Sequence, residues 1–103
     1  MSLPGLDPLI HAPVRLQICA ILSAADEAEF AFVREETGVS ESVLSKQVKL
    51  LEEAGYVAVR KATMASRQRT WLALTASGRR AFAAHMEALT TLAAAAASGV
   101  AAA

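Results

Sequence analysis

Residues 40–56, SESVLSKQVKLLEEAGY, constrain this chain most, because they ask for a helix that runs into a strand with almost no linker. Ser40 follows the turn residues Thr37-Gly38-Val39. Its hydroxyl can accept from an orphan backbone N–H of a first helical turn, which predicts a helix start there. Leu44, Val48 and Leu51 recur at steps of four and three, with Val43, Leu50 and Ala54 beside them, so one face is apolar and suited to a core. The opposite face carries Ser42, Ser45, Lys46 and Lys49, with Glu52 and Glu53 toward the far end. Short and cationic side chains therefore cluster in its first half. Gly55 falls at the usual left-handed position after a helix, and Tyr56-Val57-Ala58-Val59 then takes up the alternation of a strand.

A chain of 103 residues, 54% hydrophobic, has room for one small domain with one core. Its formal net charge is zero, but the charges are unevenly spread. Residues 1–45 hold two bases against seven acids, a balance of −5; residues 46–80 hold eight bases against Glu52 and Glu53, a balance of +6; Glu87 alone remains. The positive part includes the helix just described. Cys19 is the single cysteine, which excludes an intramolecular disulfide and fits a reducing compartment. No apolar run is long enough to span a bilayer and the N-terminus lacks a signal-peptide pattern, so the expectation is a cytoplasmic protein with no membrane partner. Beyond a domain of residues 1–92, the alanine-rich tail 93–103 can extend a helix in its first part, but past Ser98-Gly99 it has little to pack with and is expected to fray.

Asp7 before Pro8 is a helix-start pair, and Pro13 predicts a fresh start for a first main helix, with Val14, Ile18, Ile21 and Leu22 as its buried stripe to about Ala24. Leu6, Leu9 and Ile10 are left outside that stripe and need cover from the same chain or from a partner subunit; we assign them to a subunit interface. Asp26-Glu27-Ala28-Glu29 reads as an acidic connection. Phe30 to Thr37 reads as a short helix with Phe30, Val33 and Phe32 turned inward, ended by Gly38. Two helices joined by a tight turn, the second with a polar leading edge, form a helix-turn-helix.

Val57 and Val59 alternate with Ala58 and Arg60, and Thr70, Leu72 and Leu74 with Trp71 and Ala73, which predicts an antiparallel hairpin with one buried face. Its expected tip, Lys61 to Arg69 (KATMASRQR), has three bases and no acid, as a loop lying on phosphates or entering a minor groove requires. A helix-turn-helix followed by such a hairpin is a winged helix. Thr75 is the expected cap of a last helix from about residue 75, striped by Phe82, Met86, Leu89 and Ala93 with Leu92 adjoining. That stripe needs cover, since isolated helices of this length are marginal in water. A second subunit is the natural cover, so Phe82, Met86, Leu89 and Leu92 join Leu6, Leu9 and Ile10 as interface residues. The fold class expected is mainly α with a small β-hairpin wing: a three-helix core plus a C-terminal dimerisation helix.

The DNA-facing set read from this arrangement is Ser40, Ser42, Ser45, Lys46, Gln47 and Lys49 on the helix, with Lys61, Arg67 and Arg69 on the wing. Gln47 lies nearer the apolar side, so adenine and the protein's own backbone are equal alternatives as its partner. Arg67 suits a minor-groove or phosphate contact, whereas Arg69 has Glu52 or Glu53 as alternative partners. Glu41 fits the helix dipole. Trp71 lies on the hairpin's outer face as a cover for the sheet or a subunit contact. Cys19 reads as a small core residue, and His11 and His85 as surface or packing residues. No glycine-rich phosphate loop, metal-ligand spacing, or nucleophile with base and orienting partner can be assembled, so neither an enzyme, a metal nor a cofactor is expected. Nothing in the sequence supports a small-molecule effector. The alternative reading is a winged helix used for protein–protein contact without DNA.

LIHAPVRLQICAIL (9–22), TGVSESVLSKQVKLLEEAGYV (37–57) and RTWLALTASGRRAF (69–82) together resemble the winged-helix transcriptional regulators near the MarR and ArsR families, most closely the short single-domain MarR-like ones. The resemblance implies a homodimeric regulator, which we read as a repressor, whose paired helices enter successive major grooves of a roughly palindromic operator. It also implies groove-facing roles for Ser42, Ser45 and Lys46 and a wing-tip role for Arg67. The ligand pattern of the metal-sensing ArsR proteins is absent: Cys19, His11 and His85 are too scattered.

Overall fold

Asp7 opens the ordered body as an N-cap: its carboxylate accepts from the backbone N–H of Leu9 (2.9 Å) and Ile10 (3.5 Å), and Pro8 fills a first-turn position that needs no donor. The computed structural model describes residues 4–99. From Asp7 the chain forms α1 (Pro8–His11), α2 (Pro13–Ser23), a two-residue strand β1 (Ala28–Glu29), α3 (Phe30–Thr37), α4 (Glu41–Glu53), β2 (Val57–Met64), β3 (Arg67–Leu74) and α5 (Ala76–Ser98).

The core is assembled from one stripe of each element. Ile10 of α1, Ile18, Cys19 and Leu22 of α2, Val33 of α3, Leu44, Val48 and Leu51 of α4, and Val57, Leu72 and Leu74 of the sheet form one buried cluster. The expected stripe of α4 is therefore buried, and of the expected α2 stripe Ile18 and Leu22 are buried while Val14 and Ile21 are partly buried against the core. Phe32 is a correction: it stands 49% exposed, while Phe30 and Val33 turn inward. Ile10 is another, because it is fully buried within its own chain and has no surface left for a second subunit.

Around α4 the helix-to-strand switch is as expected. The Ser40 hydroxyl accepts from Val43 N–H at 3.2 Å, and at the far end Gly55 (φ +81°) donates to Glu52 while Tyr56 donates to Leu51. Tyr56 is then tied to the start of α5, its carbonyl accepting from Thr75 N–H at 3.0 Å. Thr75 caps α5 by accepting from Gly78 N–H and donates its hydroxyl to the Gly55 carbonyl.

The wing differs from expectation in length. β2 and β3 pair antiparallel over all eight rungs, from Val57 opposite Leu74 to Met64 opposite Arg67, so Lys61–Arg69 is mostly ladder. Only Ala65 and Ser66 form the turn, both with positive φ (51° and 65°), as a two-residue hairpin needs when its twist must match its strands. The acidic connection is also partly a strand. Ala28 and Glu29 pair with Leu72 and Trp71, giving a three-stranded sheet in the order β1-β3-β2. α5 stays helical through Ser98 and is capped by Gly99, where the extension by the alanine-rich stretch is expected to stop; residues 100–103 of the expected tail, like residues 1–3, lie outside the described residues.

Candidate nucleic-acid interface

Burying Leu44, Val48 and Leu51 fixes the rotation of α4, and helical spacing then assigns every other side chain a direction. Ser42, Ser45, Lys46 and Lys49 are exposed on the outward side. None of the three Lys side chains of the chain, Lys46, Lys49 and Lys61, is ion-paired among the described residues; the pairs formed are Arg60–Glu27 (2.7 Å) and Arg69–Glu29 (3.5 Å). The acids of the 26–29 segment thus neutralise the outer side of the wing and leave the cations facing α4 and the tip free.

Alternation along the wing decides which of its cations look toward α4. Val59 and Leu72 face the core, and Lys61 and Thr70 continue that face past its edge. Ser45, Lys49 and Glu52 of α4 meet Lys61 and Thr70 across an open cleft of ≈ 550 Å³. Arg67, on the last rung beside the turn, is exposed. The expected residues Ser42, Ser45, Lys46, Lys49, Lys61 and Arg67 therefore border one side of the molecule formed by α4 and the wing.

Three expected DNA-facing residues are engaged otherwise. Ser40 is exposed, but its hydroxyl is committed to capping α4, with the Ser42 hydroxyl 3.3 Å away. Gln47 points to the other flank of α4, where its carbonyl oxygen accepts from the Arg15 guanidinium of α2 at 2.5 Å. Arg69 pairs with Glu29 across β1 and β3, not with Glu52 or Glu53. On the same outer face the Arg60 guanidinium stacks 5.6 Å from the Trp71 ring centre while donating to Glu27, so Trp71 is covered within its own chain.

Sequence reasoning missed Arg15, which donates from Nε to the Leu9 carbonyl (2.6 Å) as well as to Gln47 and so fixes the back of α4. It also missed a polar cluster between α1 and α5. His85 is fully buried; its Nδ1 accepts from Asp7 N–H at 3.0 Å and its Nε2 lies 3.2 Å from His11 Nδ1. The Tyr56 hydroxyl donates to the Asp7 carboxylate at 2.6 Å. Burial works against ionisation of Asp7, but the Tyr56 hydroxyl, the Leu9 and Ile10 N–H groups and His85 together outweigh it and lower the pKa. The bond to Asp7 raises that of Tyr56. Burial, then Asp7, pushes the Cys19 thiol up to about 11, the inert thiol of a core residue. No local pattern announces this cluster, because its members are up to 78 residues apart in sequence.

The expected interface residues divide by exposure. On α5, Met86 (41%) and Leu92 (42%) are exposed and Leu89 is half-buried, whereas Phe82 packs against the core of its own chain. Leu6 is half-buried and Leu9 packs partly on the core. Among the described residues no helix is long and apolar enough to cross a membrane.

Comparison with known proteins agrees with this geometry. Residues 14–93 match the family model described as a winged helix DNA-binding domain. An uncharacterized protein of Methanocaldococcus jannaschii is 31% identical over 74 residues, covering 72% of this chain and 80% of that protein. Among solved structures, the transcriptional regulator homologue from Pyrococcus horikoshii OT3 superposes with a TM-score of 0.76 at 25% identity, covering 82% of this chain and 83% of that one. The transcriptional repressor BigR from Xylella fastidiosa gives a TM-score of 0.62 at 25% identity, covering 74% and 71%. The chain belongs to the winged helix DNA-binding domain family.

Proposed function

We propose that the protein is a homodimeric, sequence-specific transcriptional repressor that inserts α4 into the major groove of double-stranded DNA while the wing follows the flanking backbone or minor groove. The observation that carries this reading is the distribution of unpaired cations. Lys46, Lys49, Lys61 and Arg67 border the α4–wing side, while the cations on the wing's outer face, Arg60 and Arg69, are matched by Glu27 and Glu29. Ser42 and Ser45 lie among them on α4, short enough to let the helix approach base edges. Cations on the phosphates supply affinity and the helix face supplies readout. In a two-fold dimer the second α4 would enter the groove one turn along, about 34 Å away. The repressor role is favoured by the likeness to BigR, a transcriptional repressor.

Titration of genomic fragments at several salt concentrations tests the reading. The wild type should bind with a steep salt dependence. Lys46→Ala combined with Arg67→Ala should weaken binding to all sequences and lower the salt slope by about one unit per cation removed. Salt-insensitive binding, or a double variant that binds as tightly as the wild type, would instead favour a winged helix used for contact with another protein.

A further inference from the structure

The arm of residues 5–11 is held against α5 by more than apolar packing. Gly5 lies so close that a Cβ there would stand 2.9 Å from the Ala84 carbonyl oxygen. One turn further along the arm, His85 takes both a backbone and a side-chain partner from the arm. A backbone N–H can only donate, so the 3.0 Å contact with Asp7 requires a lone pair on His85 Nδ1. The His85 proton is therefore on Nε2, where it donates to His11 Nδ1. His11 in turn carries its own proton on Nε2. Every ring nitrogen that lacks a proton is thus already accepting a hydrogen bond. A proton arriving at His85 Nδ1 displaces Asp7 N–H.

We propose that the His11–His85 pair is a proton-operated latch that locks the N-terminal arm onto α5 while both rings are neutral and releases it when His85 takes up one proton. The groups facing His85 are Asp7 and His11 from the arm, with Tyr56 behind Asp7 and Cys19 of α2 near both. On α5 the neighbours one turn away are Ala81, Phe82, Ala88 and Leu89, none of them titratable. Burial, then His11, lowers the His85 pKa below its ordinary 6.5, and the opposing pull of Asp7 is smaller. Because the folded value is the lower one, the latch's full contribution to stability is present above pH 6.5 and is lost as the pH falls through the folded value.

A metal ion does not suit this pair. Two ring nitrogens 3.2 Å apart have the spread of two ligands on one ion, but a neutral imidazole bound through Nε2 keeps its proton on Nδ1, where Asp7 N–H points. Among the described residues no group of three potential ligands gathers either.

The arm and α5 also carry Leu6, Leu9, Met86, Leu89 and Leu92, so release of the latch alters the face proposed for subunit pairing; this consequence rests on that proposal and the latch itself does not. NMR of the uniformly 15N-labelled full-length chain tests the latch directly. At pH 8 we expect a through-bond coupling between the Asp7 amide nitrogen and His85 Nδ1, with His85 in the Nε2–H form. As the pH falls toward 5 the coupling should vanish, and amide-exchange protection in α1 should drop by up to about tenfold per pH unit. His85→Gln, which can present a carbonyl oxygen to Asp7 and an amide to His11 but takes up no proton, should keep that protection at acid pH. If that variant fails to fold, His11→Ala serves: without the neighbour that helps lower its pKa, His85 should titrate at higher pH and the arm should release there. Absence of the coupling at pH 8, its persistence at pH 5, or an unchanged transition in a folded variant would overturn the proposal. A dimer insensitive to pH while the coupling is lost would overturn the assignment of this face to pairing and leave the latch standing.

Discussion

Gly78 and Gly38 are both glycines at helix ends, but the structure needs them for different reasons. A Cβ at Gly78 would collide with the Tyr56 carbonyl, which is backbone and already bonded to Thr75, whereas a Cβ at Gly38 meets nothing. Gly38 matters through its conformation alone, with φ +72° at the end of α3. Alanine at 38 should therefore cost about 1 kcal/mol, while alanine at 78 should cost about 3 kcal/mol by forcing α5 off β2. Thermal denaturation of the two variants checks the ranking, and equal losses would mean that the α5 junction yields more easily than its geometry implies. The same contrast explains what was legible at this scale. Gly38 and Gly55 punctuate local patterns and could be placed from sequence; Gly78 looks like any small residue in a helix's first turn, because its constraint comes from a carbonyl 22 residues earlier.

At the scale of elements, α2, α3, α4 and the start of α5 follow from caps and apolar spacing, each a local signal. β1 does not: Ala28-Glu29 is two residues long, and only the partnership with Leu72 and Trp71 makes it a strand. The wing shows the limit from the other side. Its alternation could be read as far as Arg60 and from Thr70, but the tip residues lack apolar partners, so nothing in their pattern distinguishes ladder from loop. Ala65 and Ser66 are poor choices for two successive left-handed residues, and that also hid the turn. Replacing them with Asn-Gly should therefore stabilise the hairpin by about 0.5–1 kcal/mol. A small rise in midpoint temperature with DNA affinity unchanged is the expected result; a fall would show that the turn is held by contacts its backbone geometry does not reveal. As to the site, the outward direction of Ser42, Ser45, Lys46 and Lys49 was fixed by the buried stripe behind them. Gln47 was undecided for want of Arg15, 32 residues away, and Arg69 was matched to the wrong acids because Glu29 reaches it only through β1.

At the scale of the whole molecule, the long dimension of 61 Å comes with a 23-residue α5 that continues beyond the body and carries exposed Met86 and Leu92. On the pairing proposed above, Leu89→Glu with Leu92→Glu should yield monomers of native helix content by light scattering and circular dichroism, since two charges cannot be buried there unpaired. A dimer that survives both changes would move the interface to another face. Arg15 gives the molecule a second long-range property. Its planar fork grips the Leu9 carbonyl with one nitrogen and the Gln47 amide with another, so one rigid guanidinium joins the end of the arm to the middle of α4. The arm on one flank and the helix on the other consequently share a pivot, and a lysine, with a single ammonium to offer, would let them turn independently.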